Sequence, residues 1–164
     1  MRKGIVITTS DYTKDFLQTC LNSLKTAPYE VFVQDNGSEG GYELAGIATG
    51  KNLFDEFVHL MDTTEIKDVS LFDKLFAIDG HVFLTNGGYH YMGKFVSKDL
   101  PDLPIIHTKA EAIDQELKWL STKPRKYFKP DLPVHTEVFE EKNGQRRMRL
   151  ENDYLIKWKG TYSL

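Results

Sequence analysis

The apolar positions near the N-terminus alternate between two spacings. Residues 4–9 (GIVITT) are a continuous, β-branched run, which predicts a buried strand. From Phe16 the apolar residues fall at 16, 17, 20, 21 and 24, the spacing of one helical face. A helix is therefore expected over about 12–26, with Ser10 or Asp11 as its cap and Pro28 closing it. Residues 29–34 (YEVFVQ) read as a second strand running into the turn-rich DNGSEGG. Residues 42–53 read as a helix with small residues on one face, suited to close packing on a sheet, and residues 56–62 (EFVHLMD) as a third strand. This alternation predicts an α/β fold with a parallel sheet and crossover helices.

Past residue 62 the periods shorten. Residues 70–78 suit a short amphipathic helix, and 80–88 a strand entering a Gly-rich turn. Residues 94–104 read as a strand end or loop, because prolines oppose regular structure there. Thr108 and Glu111 form a capping box for a helix over 108–121. Residues 123–133 are a basic loop punctuated by prolines, and a hairpin is expected to turn at Asn143-Gly144. Near 155–158 apolar and charged residues alternate, as in an edge strand.

The period also places chemistry. Asp35 and Asp62 stand at the C-terminal ends of predicted strands, the edge where open α/β sheets bind ligands. Asp62 can hold a divalent cation, with Thr64 and Glu65 of DTTE adding oxygen ligands. The structural alternative for both aspartates is turn capping. In NGGYHYMGK (86–94), Tyr89, His90 and Tyr91 can line a sugar or acceptor pocket, or decorate a plain glycine turn. The histidines show no zinc-like spacing, and His107 reads as structural. Cys20, the single cysteine, excludes an intrachain disulfide and reads as a buried thiol.

Charge divides the chain. Residues 1–117 hold 10 Lys and Arg against 18 Asp and Glu, and residues 118–164 hold 11 against 6. In the basic part, Arg125, Lys126 and Lys129 interleave with Tyr127 and Phe128, Arg146, Arg147 and Arg149 follow, and Lys157 and Lys159 flank Trp158. Cations beside aromatic faces suit nucleic-acid phosphates and bases. They equally suit a diphosphate leaving group, a solvated face or a dimer contact. The opening apolar run is too short for a signal peptide and no stretch reaches membrane-span length, so a soluble, cytoplasmic protein is expected (in the host cytoplasm, were the chain viral).

Four segments in order carry a resemblance. GIVITTSDYTKDFLQTCLNSL resembles the opening strand and helix of family 2-type glycosyltransferases of the GT-A fold. VFVQDNGSEGG resembles their Val-Asp-Asp-Gly-Ser turn, with Asn36 in the second aspartate's place. GYELAGIATGKN resembles the next helix, and EFVHLMDTTE the strand that ends in the DxD motif. The resemblance covers residues 4–65 and implies a single domain, 1–164. Residues 1–65 would be its nucleotide-sugar-binding half and 66–164 its acceptor side.

It further implies that Thr8 and Thr9 lie by the nucleotide base, that Asp35 hydrogen-bonds the base, usually uracil, and that Asp62 sits near ribose or metal. Manganese or magnesium would be the cofactor, although the family's second DxD aspartate is Thr64 here. Inverting transfer needs a general base. Asp114 is the choice, with Glu111 and Glu116 beside it, and a retaining reaction would void that assignment. Tyr89, His90, Arg125, Arg146 and Arg147 would serve acceptor or phosphate. The implied activity is sugar transfer from a nucleotide sugar, a UDP-sugar by preference, to an acceptor hydroxyl. A hydroxymethylated pyrimidine in DNA is one acceptor, as for some viral enzymes of this kind. The alternatives are a non-catalytic nucleotide- or nucleic-acid-binding module on the same scaffold, and a nucleotidyltransferase, whose glycine-rich phosphate loop is missing from TTSDYTKD.

Overall fold

The structure is a computed structural model that describes residues 1–39, 43–86, 89–103, 108, 110–111, 114, 126–128, 138–142 and 145–161. It is α/β, with a central, mostly parallel sheet. Strand β1 (Lys3–Thr9) leads to helix α1 (Leu17–Ser23), strand β2 (Glu30–Asp35), helix α2 (Glu43–Leu53) and strand β3 (Glu56–Met61). Short strand β4 (Thr64–Ile66), helix α3 (Ser70–Phe76) and strands β5 (Val82–Asn86), β6 (Tyr89–Val96) and β7 (Lys126–Phe128) follow. The described chain closes with β8 (Val138–Lys142), β9 (Gln145–Glu151) and β10 (Leu155–Thr161).

The main sheet has the order β2-β1-β3-β6-β5-β7. β2, β1 and β3 are parallel, β6 is antiparallel to both β3 and β5, and β7 is parallel to β5. β1 is central because both faces of GIVITT are apolar, and Ile5, Val6 and Ile7 are fully buried. Its alternating side chains split the core. Ile5 and Ile7 pack with Cys20 of α1 and Leu71, Phe72 and Leu75 of α3, whereas Val6 packs with Leu44 and Ile47 of α2 and with Phe57, Phe83 and Phe95. The β1-to-β2 and β2-to-β3 crossovers run in opposite directions across the sheet, so with one hand they lie on opposite faces, which is where α1 and α2 lie.

The small residues of α2 let it approach the sheet. A Cβ at Gly46 would overlap Thr8 Oγ1 and the His59 ring, and one at Gly50 would overlap the Phe57 ring. Thr8 and His59 are themselves buried and joined, Oγ1 to Nε2, at 2.7 Å.

A second sheet has the order β4-β10-β9-β8, all antiparallel. The expected hairpin is β8–β9, with Lys142 opposite Gln145 across Asn143-Gly144.

Several expectations change. The tail is not an edge strand: β10 lies between β4 and β9, and its Ile156 and Trp158 pack on Phe16. The first helix is shorter than 12–26. A 3-10 turn over Lys14–Phe16 precedes α1, and no side chain caps either start, because Asp11 instead takes the Lys14 ammonium. Residues 89–96 form strand β6, which takes in the aromatic cluster Tyr89–Tyr91 and the expected strand end at 94–96. Pairing on both sides holds this stretch extended through Gly93. Residues 126–128, within the expected basic loop, add β7 to the sheet. Of the helix over 108–121, residues 110, 111 and 114 are helical and Glu111 N–H donates to Thr108 Oγ1 at 3.2 Å, as its cap requires. The remainder lies outside the described residues.

Exchanging glycine for alanine in a helix ordinarily stabilises it by about 1 kcal/mol. For Gly46→Ala the overlap with two buried, mutually bonded side chains should win. The expected result is a loss of roughly 1–3 kcal/mol in urea unfolding. A gain in stability would show that α2 does not sit this close to β1.

Candidate functional site: the strand-end crevice

The chain leaves β1 toward β2 on one side and leaves β3 toward β5 on the other, with β1 and β3 adjacent in the sheet. That is a topological switch point, and ligands of open α/β sheets enter beyond the C-terminal strand ends there. The parallel register brings Thr9 opposite Asp35 and Thr8 opposite Met61, so Asp35, Thr9 and Asp62 follow one edge. Backbone bonds lace that edge together. Asn36 N–H donates to Thr9 C=O at 3.0 Å, Asp62 N–H to Thr8 C=O at 3.0 Å, and Asp11 N–H to Gly37 C=O at 2.9 Å.

On the β2 side the carboxylate is open. Asp35 accepts from Gly37 N–H at 2.8 Å and pairs with Lys14 at 2.9 Å. Gly37 has φ +57°, a left-handed conformation that favours glycine and brings its N–H back to Asp35. The Lys14 ammonium first, and the Gly37 N–H second, hold the Asp35 carboxyl below its usual range. Tyr12, 69% exposed, bridges the two loops by donating to Ser38 C=O at 3.1 Å.

On the β3 side the carboxylate is sealed. Asp62 is 1% exposed. Its Oδ2 accepts from Thr9 Oγ1 at 2.7 Å and from Thr13 Oγ1 at 2.6 Å, which fastens the loop after β1 to the end of β3. Burial pushes the Asp62 carboxyl above its usual range, while the Thr13 and Thr9 hydroxyls and the nearby Lys157 ammonium oppose that shift. Asp62 Oδ1 and Thr64 Oγ1 are buried and have no hydrogen-bond partner among the described residues.

The turn after β3 is stitched to the distant end of the chain. Trp158 N–H donates to Thr63 C=O at 2.9 Å, Lys157 Nζ donates to Thr63 Oγ1 at 2.6 Å, and Lys157 stands opposite Thr64 in the ladder. Directly opposed residues share a face and neighbours along a strand alternate. Lys157 therefore shares a face with Thr64, and Glu65 projects from the other.

Among the described residues these donors do not by themselves complete a divalent-cation site. Magnesium keeps several waters and needs an open position for substrate oxygens. Here one Asp62 oxygen already serves two hydroxyls, the other and Thr64 Oγ1 are buried, and a Lys ammonium holds the intervening threonine. Among the described residues, no three of His, Cys, Asp and Glu form a group that could hold a metal ion.

The remaining expected residues scatter. Thr8 is fully buried beneath α2. Tyr89 and His90 open β6, just before Met92, which pairs with Leu60; this puts them at the same sheet edge as Asp62. Glu111 and Asp114 are exposed. Arg146 and Arg147 lie on β9, opposite Glu141 and Glu140. Glu116, Arg125 and His107 lie outside the described residues. Cys20 is buried, and burial above all pushes its thiol up to about 12, which fits the expected structural thiol. Sequence reasoning missed Thr13, Lys14 and the placement of Lys157. Among the described residues no helix is long and apolar enough to cross a membrane.

A test follows from the sealed carboxylate. A buried carboxyl with a raised pKa binds its proton more tightly folded than unfolded, so its ionisation costs stability as pH rises above the ordinary aspartate range. Asp62→Asn keeps an oxygen for the two threonines and cannot ionise. Its stability relative to wild type, from urea unfolding at stepped pH, should improve with rising pH through that window and then level off. A difference that does not change with pH would mean that Asp62 is solvated.

No protein-family model matches the chain, and no curated protein sequence matches it. Solved structures do resemble it. A provisionally assigned glucose-1-phosphate thymidylyltransferase from Bacillus anthracis, in complex with sucrose, is 8% identical over 77% of this chain and 86% of its own, with a TM-score of 0.47. A glycosyltransferase involved in glycosylation of the major capsid of PBCV-1 is 11% identical over 73% of this chain and 66% of its own, with a TM-score of 0.39. A Drosophila β1,4-galactosyltransferase 7 mutant, in complex with manganese, UDP-Gal and xylobiose, is 12% identical over 77% of this chain and 65% of its own, with a TM-score of 0.43.

Proposed function

We propose that the chain is a nucleotide-sugar-dependent glycosyltransferase of the GT-A type, with the donor nucleotide in the crevice at the ends of β1, β2 and β3. The observation that carries this reading is the union of three loops at the switch point: 10–14 after β1, 36–39 after β2 and 62–64 after β3. The strand ends that lead into these loops carry Thr8, Thr9 and Asp35, to which the sequence resemblance assigns the base, and Asp62, to which it assigns ribose or metal.

In this reading Asp35, exposed and held ionised by Lys14 and Gly37, accepts a hydrogen bond from the base, uracil by preference. The exposed Tyr12 ring borders the same opening. Asp62 acts as a positioning residue: through Thr9 and Thr13 it fixes the crevice wall. The sugar would lie toward Tyr89 and His90, and the acceptor base would come from Asp114, flanked by Glu111 and Glu116. Asp114 would take the acceptor hydroxyl's proton as the new glycosidic bond forms and the nucleotide leaves. An acceptor hydroxyl on a DNA pyrimidine rests on the basic charge of residues 118–164 alone.

A second reading, a nucleotide-binding module without catalysis, is favoured by one observation: Thr64 stands where the resembling family has a carboxylate. Turnover separates the two.

Thermal unfolding in the presence of UDP, GDP and CDP sugars tests the donor. At ~100 times its dissociation constant a bound donor should stabilise the fold by ~2.7 kcal/mol. One nucleotide family, UDP by expectation, should shift the melt. Asp35→Ala should weaken that binding roughly tenfold, the worth of one hydrogen bond to a charged group. Release of free nucleotide with sugar transfer supports the transferase, binding without release supports the module, and no shift with any donor contradicts both.

A further inference from the structure

The sequence of β2 suits the middle of a sheet, yet β2 is an edge strand. It pairs with β1 on one side, and no strand among the described residues pairs with it on the other. The parallel register puts Val31 and Val33 on the face of Ile5 and Ile7, and Phe32 on the face of Val6, so both faces of β2 are apolar. Val31 is 38% exposed and Phe32 41%. Sheet edges are ordinarily guarded by lysine, proline or a bulge. β2 (EVFVQD) has none of these: its register with β1 is unbroken, and its charges stand only at its two ends.

We propose that β2 is the contact surface for a second copy of this chain, the two β2 strands pairing antiparallel about a two-fold axis that passes through Phe32, perpendicular to the sheet. Such an axis keeps each face continuous, so a residue can oppose only a residue of its own face. Centring on Phe32 sets it against the partner's Phe32, Val31 against the partner's Val33, and Glu30 against the partner's Gln34. Apolar side chains then meet apolar ones on both faces, and the carboxylate meets an amide that can donate to it. The neighbouring registers mix the classes. A centre at Val33 opposes Val31 to the partner's Asp35, and a centre at Val31 opposes Glu30 to the partner's Phe32. The end charges are also compensated within each copy, Glu30 by Arg2 at 2.6 Å and Asp35 by Lys14 at 2.9 Å, so the contact brings no unpaired like charges together. This self-complementarity selects a second copy as the occupant, because a two-fold contact requires it and a strand from another protein does not. The axis turns the two strand-end crevices to opposite edges of the joined sheet, and the inference is independent of what those crevices bind.

The test is size-exclusion chromatography with light scattering on the full chain at stepped concentrations. Wild type should be a dimer that dissociates on dilution. Phe32→Lys, which sets two ammonium groups against each other at the axis, should lose the dimer and keep its thermal transition. Disulfide crosslinking reads the register separately, and it decides alone if Phe32→Lys fails to fold. Phe32→Cys puts two thiols on the axis, where opposed Cα atoms are about 4.5–5.5 Å apart, within disulfide reach. Glu30→Cys puts them roughly 13 Å apart along the strands, beyond it. Cys20 is buried and does not compete. Oxidised Phe32→Cys should therefore run as a covalent dimer on a non-reducing gel, and Glu30→Cys as a monomer.

A wild type that stays monomeric at every concentration would overturn the proposal and leave the edge to a strand of another protein. A dimer that survives in a folded Phe32→Lys would overturn it by placing the contact elsewhere. Crosslinking through Glu30→Cys as readily as through Phe32→Cys would overturn the register on which the choice of occupant rests.

Discussion

Asp62 keeps a carboxylate almost wholly out of water, and it does so on two threonine hydroxyls. Burying that group is costly unless it is hydrogen-bonded, so its partners are held in place as firmly as it is. Thr9 ends β1 and Thr13 begins the 3-10 turn before α1. The bonds fix the path of the loop between them, and the next loop follows, because Asp11 N–H is bound to Gly37 C=O and Tyr12 to Ser38. One sealed carboxylate at the end of β3 thus fixes the loops beside it, while the exposed charges at this edge are Asp35, at the end of β2, and its partner Lys14.

The two aspartates have the same topological position and opposite environments. Asp35 is exposed, paired and held ionised; Asp62 is buried and pushed toward its neutral form. Strand-end position therefore does not by itself fix a carboxylate's exposure or its tendency to ionise. The division suits a site in which one carboxylate reads a ligand and the other builds the wall, with Lys14 paired to Asp35 and Lys157 holding Thr63.

Much of the first half was legible because its information is local. The period of residues 4–62 fixes strand and helix, the alternation implies the parallel sheet, and the strand ends carry Asp35 and Asp62 to one edge. The close approach of α2 was legible too, in the small residues that include Gly46 and Gly50. The second half is governed by distant pairing. β6 is held between β3 and β5 despite Gly93, and β10 becomes an interior strand only because β4 and β9 flank it. The Lys157–Thr63 contact joins residues 94 positions apart, and no local pattern announces it. For the same reason the spacing of DTTE does not announce the β4–β10 register, which sets Lys157 opposite Thr64 and Glu65 on the other face of β4.

The central claim is that a nucleoside diphosphate occupies the opening formed by the loops after β1, β2 and β3. Backbone amide chemical shifts during titration with UDP measure that occupancy directly. The account predicts saturable shifts concentrated at Asp11, Tyr12, Asn36, Gly37, Thr63 and Lys157, with little change along β8 and β9. Shifts confined to β8 and β9, with the three loops silent, would contradict it.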